Sequence, residues 1–261
     1  MKVVKTYTDD FVINTLPNDW NGNSIHRNGF HEPHINAFLK RNLTKDSVLI
    51  DAGSNYGWHS IKSSYLCNTV YSFEPQTRIH DIQAISITEN NIKNIVLHNY
   101  GLGDKNETKE MAPIDYDKLS LNIGDLNIGV GGQVVEVRTI DSFKFPRVDF
   151  MKIDVQGYEK YVLHGAINTI AEHKPTIVIE IEEHQLGKFR YNATALFAVI
   201  RDLGYHIYLL DHGYPADHVC VHKDNLEAFI KDNNAFIKIL TESNNLNHSM
   251  ENGVTEKIIH D

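Results

Sequence analysis

Val48-Leu49-Ile50-Asp51-Ala52-Gly53-Ser54-Asn55-Tyr56-Gly57 is the stretch from which the fold can be read. Val48, Leu49 and Ile50 make a short apolar run of the kind used by a buried strand, and Trp58, Ile61, Tyr65 and Leu66 recur with helical spacing just beyond it. Between the two lie Asp51, Gly53 and Gly57. A strand that turns through glycines into a helix presents bare backbone N–H groups to whatever sits above the turn. In an open α/β sheet, the carboxyl end of a parallel strand is also where nucleotides bind. The pattern lacks the middle glycine of the dinucleotide fingerprint G-x-G-x-x-G, and an acid precedes Gly53. These differences count against a nicotinamide-dependent oxidoreductase, which stays open as an alternative. So does a catalytically silent nucleotide-binding module.

One unit downstream, Val70-Tyr71-Ser72-Phe73 reads as the next strand, ended by Glu74-Pro75. The acid falls near the spacing of about 20 residues expected for a carboxylate that accepts ribose hydroxyls. One carboxylate can accept both hydroxyls of an adenosine ribose. Pro75 stops the strand and sets the direction in which the chain leaves it. Glu74 and Pro75 are therefore placed in the cofactor site with Asp51, Gly53, Asn55, Tyr56 and Gly57.

A third stretch, Val148-Asp149-Phe150-Met151-Lys152-Ile153-Asp154-Val155-Gln156-Gly157-Tyr158-Glu159, closely resembles the "KIDVEGxE" signature of FkbM-type methyltransferases, with Gln156 where that family usually has Glu. Other pieces follow in family order. His31-Glu32-Pro33 is similar to "yEP", Asp51 to Gly57 to "DvGAniG", and Phe73-Glu74-Pro75 to "FEP". Leu102-Gly103-Asp104 is similar to "LGD", Thr139-Ile140-Asp141 to "TLD", and Ile179-Glu180 to the last parallel strand. The resemblance spans roughly residues 30–224. It implies a doubly wound, mostly parallel seven-stranded Rossmann-like sheet ending in an antiparallel hairpin strand. It also implies S-adenosyl-L-methionine as cofactor and methyl transfer to oxygen, often of a sugar.

Composition sets limits on this reading. The 261 residues suit one sizeable α/β domain with peripheral additions, and 41% hydrophobic with 23% charged residues is ordinary for a globular chain. A net charge of −9 argues against a general nucleic-acid binder, which needs a basic footprint. No apolar run is long enough for a membrane span and no secretory core opens the chain. A cytoplasmic enzyme is expected, with a small-molecule or glycan acceptor. Cys67, on a predicted helix, and Cys220, in a predicted strand, read as reduced, buried residues.

Three parts are expected: residues 1–45 as an arm and leading helix that can act as a lid, 46–240 as the catalytic domain, and 241–261 as a polar, frayed tail. Helices are expected over 31–40, 78–90, 159–172 and 193–203, and strands at 95–99, 134–137, 150–153, 177–181, 206–210 and 219–222. Gly213-Tyr214-Pro215 marks the turn before the last strand. The glycines of 104–133 suggest an irregular, mobile segment that walls the acceptor pocket with the arm and the residues after Glu180.

Gly101, Leu102 and Asp104 stand where an adenine can be read. Methyl transfer to a hydroxyl is an in-line displacement that needs alignment and a base. Asp154, at a strand end, is the first candidate. Glu159 can share its cleft or cap the next helix, and Lys152 lies on the same strand face as Asp154 and can pair with it. His31, His34, His59 and His184 can each reach the cleft, although packing or surface duty is the commoner fate of one histidine. The resemblance calls for no metal; Asp154, Glu180 and His184 nevertheless have ligand types for a divalent ion, by analogy with other O-methyltransferases. Tyr56, Trp58, Tyr116 and Tyr158 are candidates to stack on a sugar.

Overall fold

A computed structural model of the chain describes residues 3–114, 122–129, 131–210 and 216–233. It opens with an antiparallel hairpin, β1 (Val4–Tyr7) and β2 (Val12–Thr15), followed by helices α1 (Trp20–Asn28) and α2 (Pro33–Asn42). The sheet proper begins with β3 (Val48–Ala52), and α3 (Trp58–Ser64), β4 (Thr69–Phe73), α4 (Thr77–Glu89) and β5 (Ile95–His98) follow. Three short strands, β6 (Gly101–Leu102), β7 (Glu107–Met111) and β8 (Gln133–Arg138), form a separate small sheet. The chain then returns through β9 (Phe150–Ile153), α5 (Glu159–His164), α6 (Ile167–His173) and β10 (Thr176–Ile181). It finishes with α7 (Glu183–Lys188), α8 (Ala193–Asp202), β11 (Tyr205–Leu209), β12 (Ala216–His222) and α9 (Leu226–Asp232).

The main sheet has seven strands in the order β5-β4-β3-β9-β10-β12-β11. β5 through β10 pair in parallel, and β12 runs antiparallel to both β10 and β11. This is the doubly wound sheet with a returning last strand. From β3 the chain winds outward to β5, then re-enters at β9 and winds the other way. The crevice over the carboxyl ends of β3 and β9 is thus the topological switch point. β3 and β10 are covered on both faces, which is why Val48-Leu49-Ile50 and Ile177-Val178-Ile179 read as continuous apolar runs. Ile50, Met151, Ile153, Ile177 and Ile179 are all buried in one cluster, each worth about 1.5–3 kcal/mol relative to exposure.

Several local expectations need correction. The polar opening contains a hairpin rather than only an arm; Asn90 holds it to α4, accepting from Val12 N at 2.8 Å and donating to Val12 O at 2.6 Å. The helix expected over 159–172 is two helices. Gly165 stands at the break as the cap of α5, where a Cβ would lie 1.9 Å from the Gly103 carbonyl oxygen. Asp141 then caps α6 from across the chain, accepting from Thr169 N at 2.8 Å and Asn168 N at 3.1 Å. Within 104–133, β7 pairs antiparallel with β8, so part of the segment expected to be irregular is ordered sheet. Helix α3 ends at Ser64, leaving Cys67 beyond it. The tail 241–261, the turn at Gly213-Tyr214-Pro215 and Tyr116 lie outside the described residues.

Candidate active site

A cavity of about 520 Å³ opens over the switch point. One side is made by the turns after the first strands: Gly53 to Tyr56 after β3, Glu74 to Gln76 after β4, and Tyr100 to Leu102 after β5. Trp20 and Ile25 of α1, the Asn122–Ile128 stretch, and Glu182, His184 and Gln185 form the opposite side. Lys152, Asp154 and Gln156 lie on its floor, with Glu180 beside them.

The first turn is shaped by backbone contact. Gly53 has φ +80°, and a Cβ on it would sit 1.9 Å from the Asp154 carbonyl oxygen, so only glycine allows the β3 and β9 loops to touch. Asn55 also adopts a left-handed conformation, with φ 50°. Its N–H donates to Glu74 Oε2 at 3.0 Å, while Gln76 N donates to Oε1 at 2.8 Å. Each carboxylate oxygen keeps acceptor capacity for a ligand hydroxyl. Burial raises the Glu74 carboxyl to about 7, against the two backbone donors that lower it.

Asp51 lies below the turn and is fully buried. Its Oδ2 accepts from Ser60 Oγ at 2.6 Å, and its Oδ1 has no hydrogen-bond partner among the described residues. Ser60 continues into a buried chain through Ser72 and Gln83 to Ser54, which fixes the turn from beneath. Gly57 does not line the cavity; its φ of +84° admits the chain into α3, and a Cβ there would press on Gln83. Tyr56 lines the cavity but is buried, beside Asp19. Pro75, Gly101 and Leu102 also line it, whereas Asp104 does not.

At the second loop, Lys152 Nζ donates to Asp154 Oδ2 at 3.0 Å, as their shared strand face predicts. Burial opposes the ammonium charge, but Asp154, Asp51 and Glu32 outweigh it and hold the group protonated. Gln156 has φ 54°, and its Nε2 donates both to Asp154 Oδ1 and to Glu180 Oε2, each at 2.9 Å. Burial and the neighbouring Asp154 charge raise the Glu180 carboxyl well above its ordinary value. Glu159 does not line the cavity. Its Oε1 accepts from Val155 N at 3.2 Å and Gly157 N at 3.0 Å, bracing the loop from behind, and burial raises it to about 7.

Of the histidines, His31, His59 and His184 line the cavity, whereas His34 instead meets Asp217 at 2.6 Å. Asp154, Glu180 and His184 do not bring three ligand atoms within 4.8 Å of one another; among the described residues, His31, Glu32 and His59 do. Trp58 lines the cavity, and Tyr158 packs on Tyr161 with ring centroids 4.4 Å apart.

Asp19 went unread in the sequence, where it passes for an ordinary helix N-cap before Gly22. It accepts from Gly22 N at 2.8 Å and from Ile123 N at 3.1 Å, tying α1 to the 122–125 turn. In the sequence Glu32 stands at a helix start and in the run similar to "yEP", with no site role assigned to it. The one signal in the sequence was an acid directly before proline, flanked by a histidine.

The methyltransferase FkbM domain matches residues 51–207. A hexuronic acid methyltransferase, AglP of Haloferax volcanii, is 27% identical over 188 residues, covering 68% of this chain and 72% of its own. Among solved structures, a methyltransferase FkbM from Methylobacillus flagellatus KT superposes with TM-score 0.49 at 20% identity, over 69% of this chain and 44% of that one. The chain therefore spans less than half the length of that protein. SMU.1697c, a putative methyltransferase from Streptococcus mutans in complex with SAH, gives TM-score 0.47 at 17% identity, over 72% and 94% of the two chains.

The cofactor is S-adenosylmethionine, and the residues present fit it. Gly53 and Asn55 bring bare backbone to the cavity, Asp51 Oδ1 is a buried acceptor without a hydrogen-bond partner among the described residues beneath that turn, and Glu74 lines the cavity with a carboxylate of the type that accepts ribose hydroxyls. With the matched domain covering more than half of the sequence and a site suited to its cofactor, the chain belongs to the FkbM family of S-adenosylmethionine-dependent methyltransferases.

Proposed function

We propose that the chain methylates an oxygen, a hydroxyl of a sugar, glycan or related small molecule, with Asp154 as the group that orients it and takes its proton. The observation that carries this reading is the cavity over the switch point, with Asp154 on its floor between the turns after β3, β4 and β5 and the side made by α1 and residues 122–128 and 182–185. The name of the Haloferax volcanii relative, a hexuronic acid methyltransferase, supports a sugar-type acceptor. When bound, the cofactor supplies an electrophilic methyl group on a sulfonium.

The protein's part is alignment, charge and exclusion of water. Asp51, Gly53, Asn55 and Tyr56 hold the amino-acid end of the cofactor, with Gly57 shaping the turn. Glu74 and Pro75 hold the ribose, and Gly101 and Leu102 face the adenine, with Asp104 behind them. Lys152 donates to Asp154 Oδ2 and so fixes the orientation of that carboxylate. Glu159 acts by bracing the loop that carries Asp154. Residues 46–240 make up the catalytic domain, and the arm and leading helix of 1–45 contribute to the acceptor wall. The cytoplasm, where the cofactor is made, is the location this reading favours. No helix among the described residues is long and apolar enough to cross a membrane.

Calorimetric titration with S-adenosylhomocysteine, with NADH as control, tests the cofactor assignment; binding of the first alone is expected. Methyl transfer to a panel of uronic acids and neutral sugars then tests the acceptor. Asp154→Asn is expected to bind S-adenosylhomocysteine normally and lose about 100-fold or more in turnover. Undiminished turnover would remove Asp154 from this role.

A further inference from the structure

We propose that His31, Glu32 and His59 form a binding site for one divalent transition-metal ion on the wall of the cavity. One donor atom from each residue lies within 4.8 Å of the other two, and all three residues line the cavity. Glu32 stands between the rings: its Oε2 is 2.6 Å from His59 Nε2, and its Oε1 is 3.6 Å from His31 Nε2. Metal–nitrogen and metal–oxygen bonds of about 2.0–2.2 Å set neighbouring ligand atoms roughly 3.3 Å apart. At the two contacts that Glu32 makes, closing around an ion requires side-chain adjustments of less than about 1 Å.

The backbone supports the same conclusion. Glu32 has φ 42° and ψ 66°, a left-handed conformation, directly before Pro33. A residue preceding proline is driven toward extended backbone, so this geometry is doubly disfavoured. Strain of this kind costs about 1–3 kcal/mol and gathers at ligand clamps. The conformation brings the carboxylate to His59, which follows the glycine turn on α3 and is fixed by packing. Two segments distant in sequence thus converge on one point.

Charge and donor type narrow the ligand. Glu32 adds a carboxylate to a neighbourhood that already holds Asp51 and Asp154 against one ammonium, Lys152. Two imidazoles and one carboxylate suit Mn²⁺, Fe²⁺, Co²⁺, Ni²⁺ or Zn²⁺ over the all-oxygen ions Mg²⁺ and Ca²⁺. Three protein ligands leave coordination positions directed into the cavity. There an acceptor hydroxyl can bind and become more acidic, a role that rests on the oxygen-methylation reading.

The test is titration of chelator-treated protein with Co²⁺, followed by its visible d–d bands, and with Zn²⁺ by calorimetry. Wild type is expected to take up one equivalent. His59→Ala and Glu32→Gln are expected to bind at least about tenfold more weakly, equivalent to about 1.4 kcal/mol. His206→Ala, at an exposed position on β11, is expected to bind as wild type does. A thermal shift with S-adenosylhomocysteine confirms that each variant is folded; Glu32→Gln keeps the side chain's shape if the alanine variant fails that control. Absence of one-equivalent uptake by wild type, or equal affinity in a folded Glu32→Gln variant, overturns the site and leaves a hydrogen-bonded triad. Failure of wild type to bind S-adenosylhomocysteine would instead count against the proposed cofactor contacts, since the metal titration is read without it.

Discussion

At Gln156 a single amide nitrogen holds two carboxylates, the half-buried Asp154 and the buried Glu180, in place. Replacing it with Glu, the residue usual in the family, would set three acids around one point. Gln156→Glu is expected to lower stability at pH 8 by about 1–3 kcal/mol and to recover much of it near pH 6, where one acid takes a proton. Denaturant unfolding at the two pH values reads the difference. Glu159 gives a second pH signature. Its folded value of about 7 lies above its ordinary 4.5, so the folded state holds the proton more tightly. The associated stability is fully present below about 4.5 and is lost as pH rises through 7, by up to about 3 kcal/mol. Glu159→Gln can still accept from Val155 and Gly157, and is expected to flatten this slope between pH 5 and 8.

Among the elements, the two loops at the switch point depend on each other. Gly53→Ala meets both a positive φ and the Asp154 carbonyl, so a loss of at least about 2 kcal/mol is expected, together with loss of S-adenosylhomocysteine binding. Urea denaturation and calorimetry check the two parts. The central strands were legible in the sequence because burial on both faces leaves unbroken apolar runs, and Gly53 and Glu74 because each terminates such a run. The β1–β2 hairpin was not, since its strands are only four residues long and β2 is held through Val12 N and Asn14 N by Asn90 and Ser86 at the distant end of α4. Nor was the break at Gly165, a position that must be glycine because the Gly103 carbonyl, far back in the chain, packs against it. His31, Glu32 and His59 could be noticed singly, but their meeting depends on how α2 docks beside α3.

Across the whole molecule, the N-terminal elements help close the cavity that the sheet opens. Trp20 is 67% exposed yet lines the cavity, and Asp19 beside it fastens α1 to the 122–125 turn. Trp20→Ala is expected to raise KM for the acceptor several-fold while leaving S-adenosylhomocysteine affinity unchanged, because no cofactor contact is assigned to α1. Steady-state kinetics with each substrate varied in turn separates the two effects.

Both thiols of the chain are shut away. Cys67 and Cys220 are buried, and burial pushes the Cys67 thiol up to about 11 and Cys220 higher still. Near pH 7.5 neither has the exposure or the thiolate fraction to react quickly. The native protein is expected to give almost no colour with Ellman's reagent until denaturant is added. That silence makes the wild-type sequence a ready background for fluorescent labelling. A cysteine placed at the exposed Trp20 would take a maleimide dye alone, and its emission would report ligand arrival in the cavity without any native thiol having to be removed.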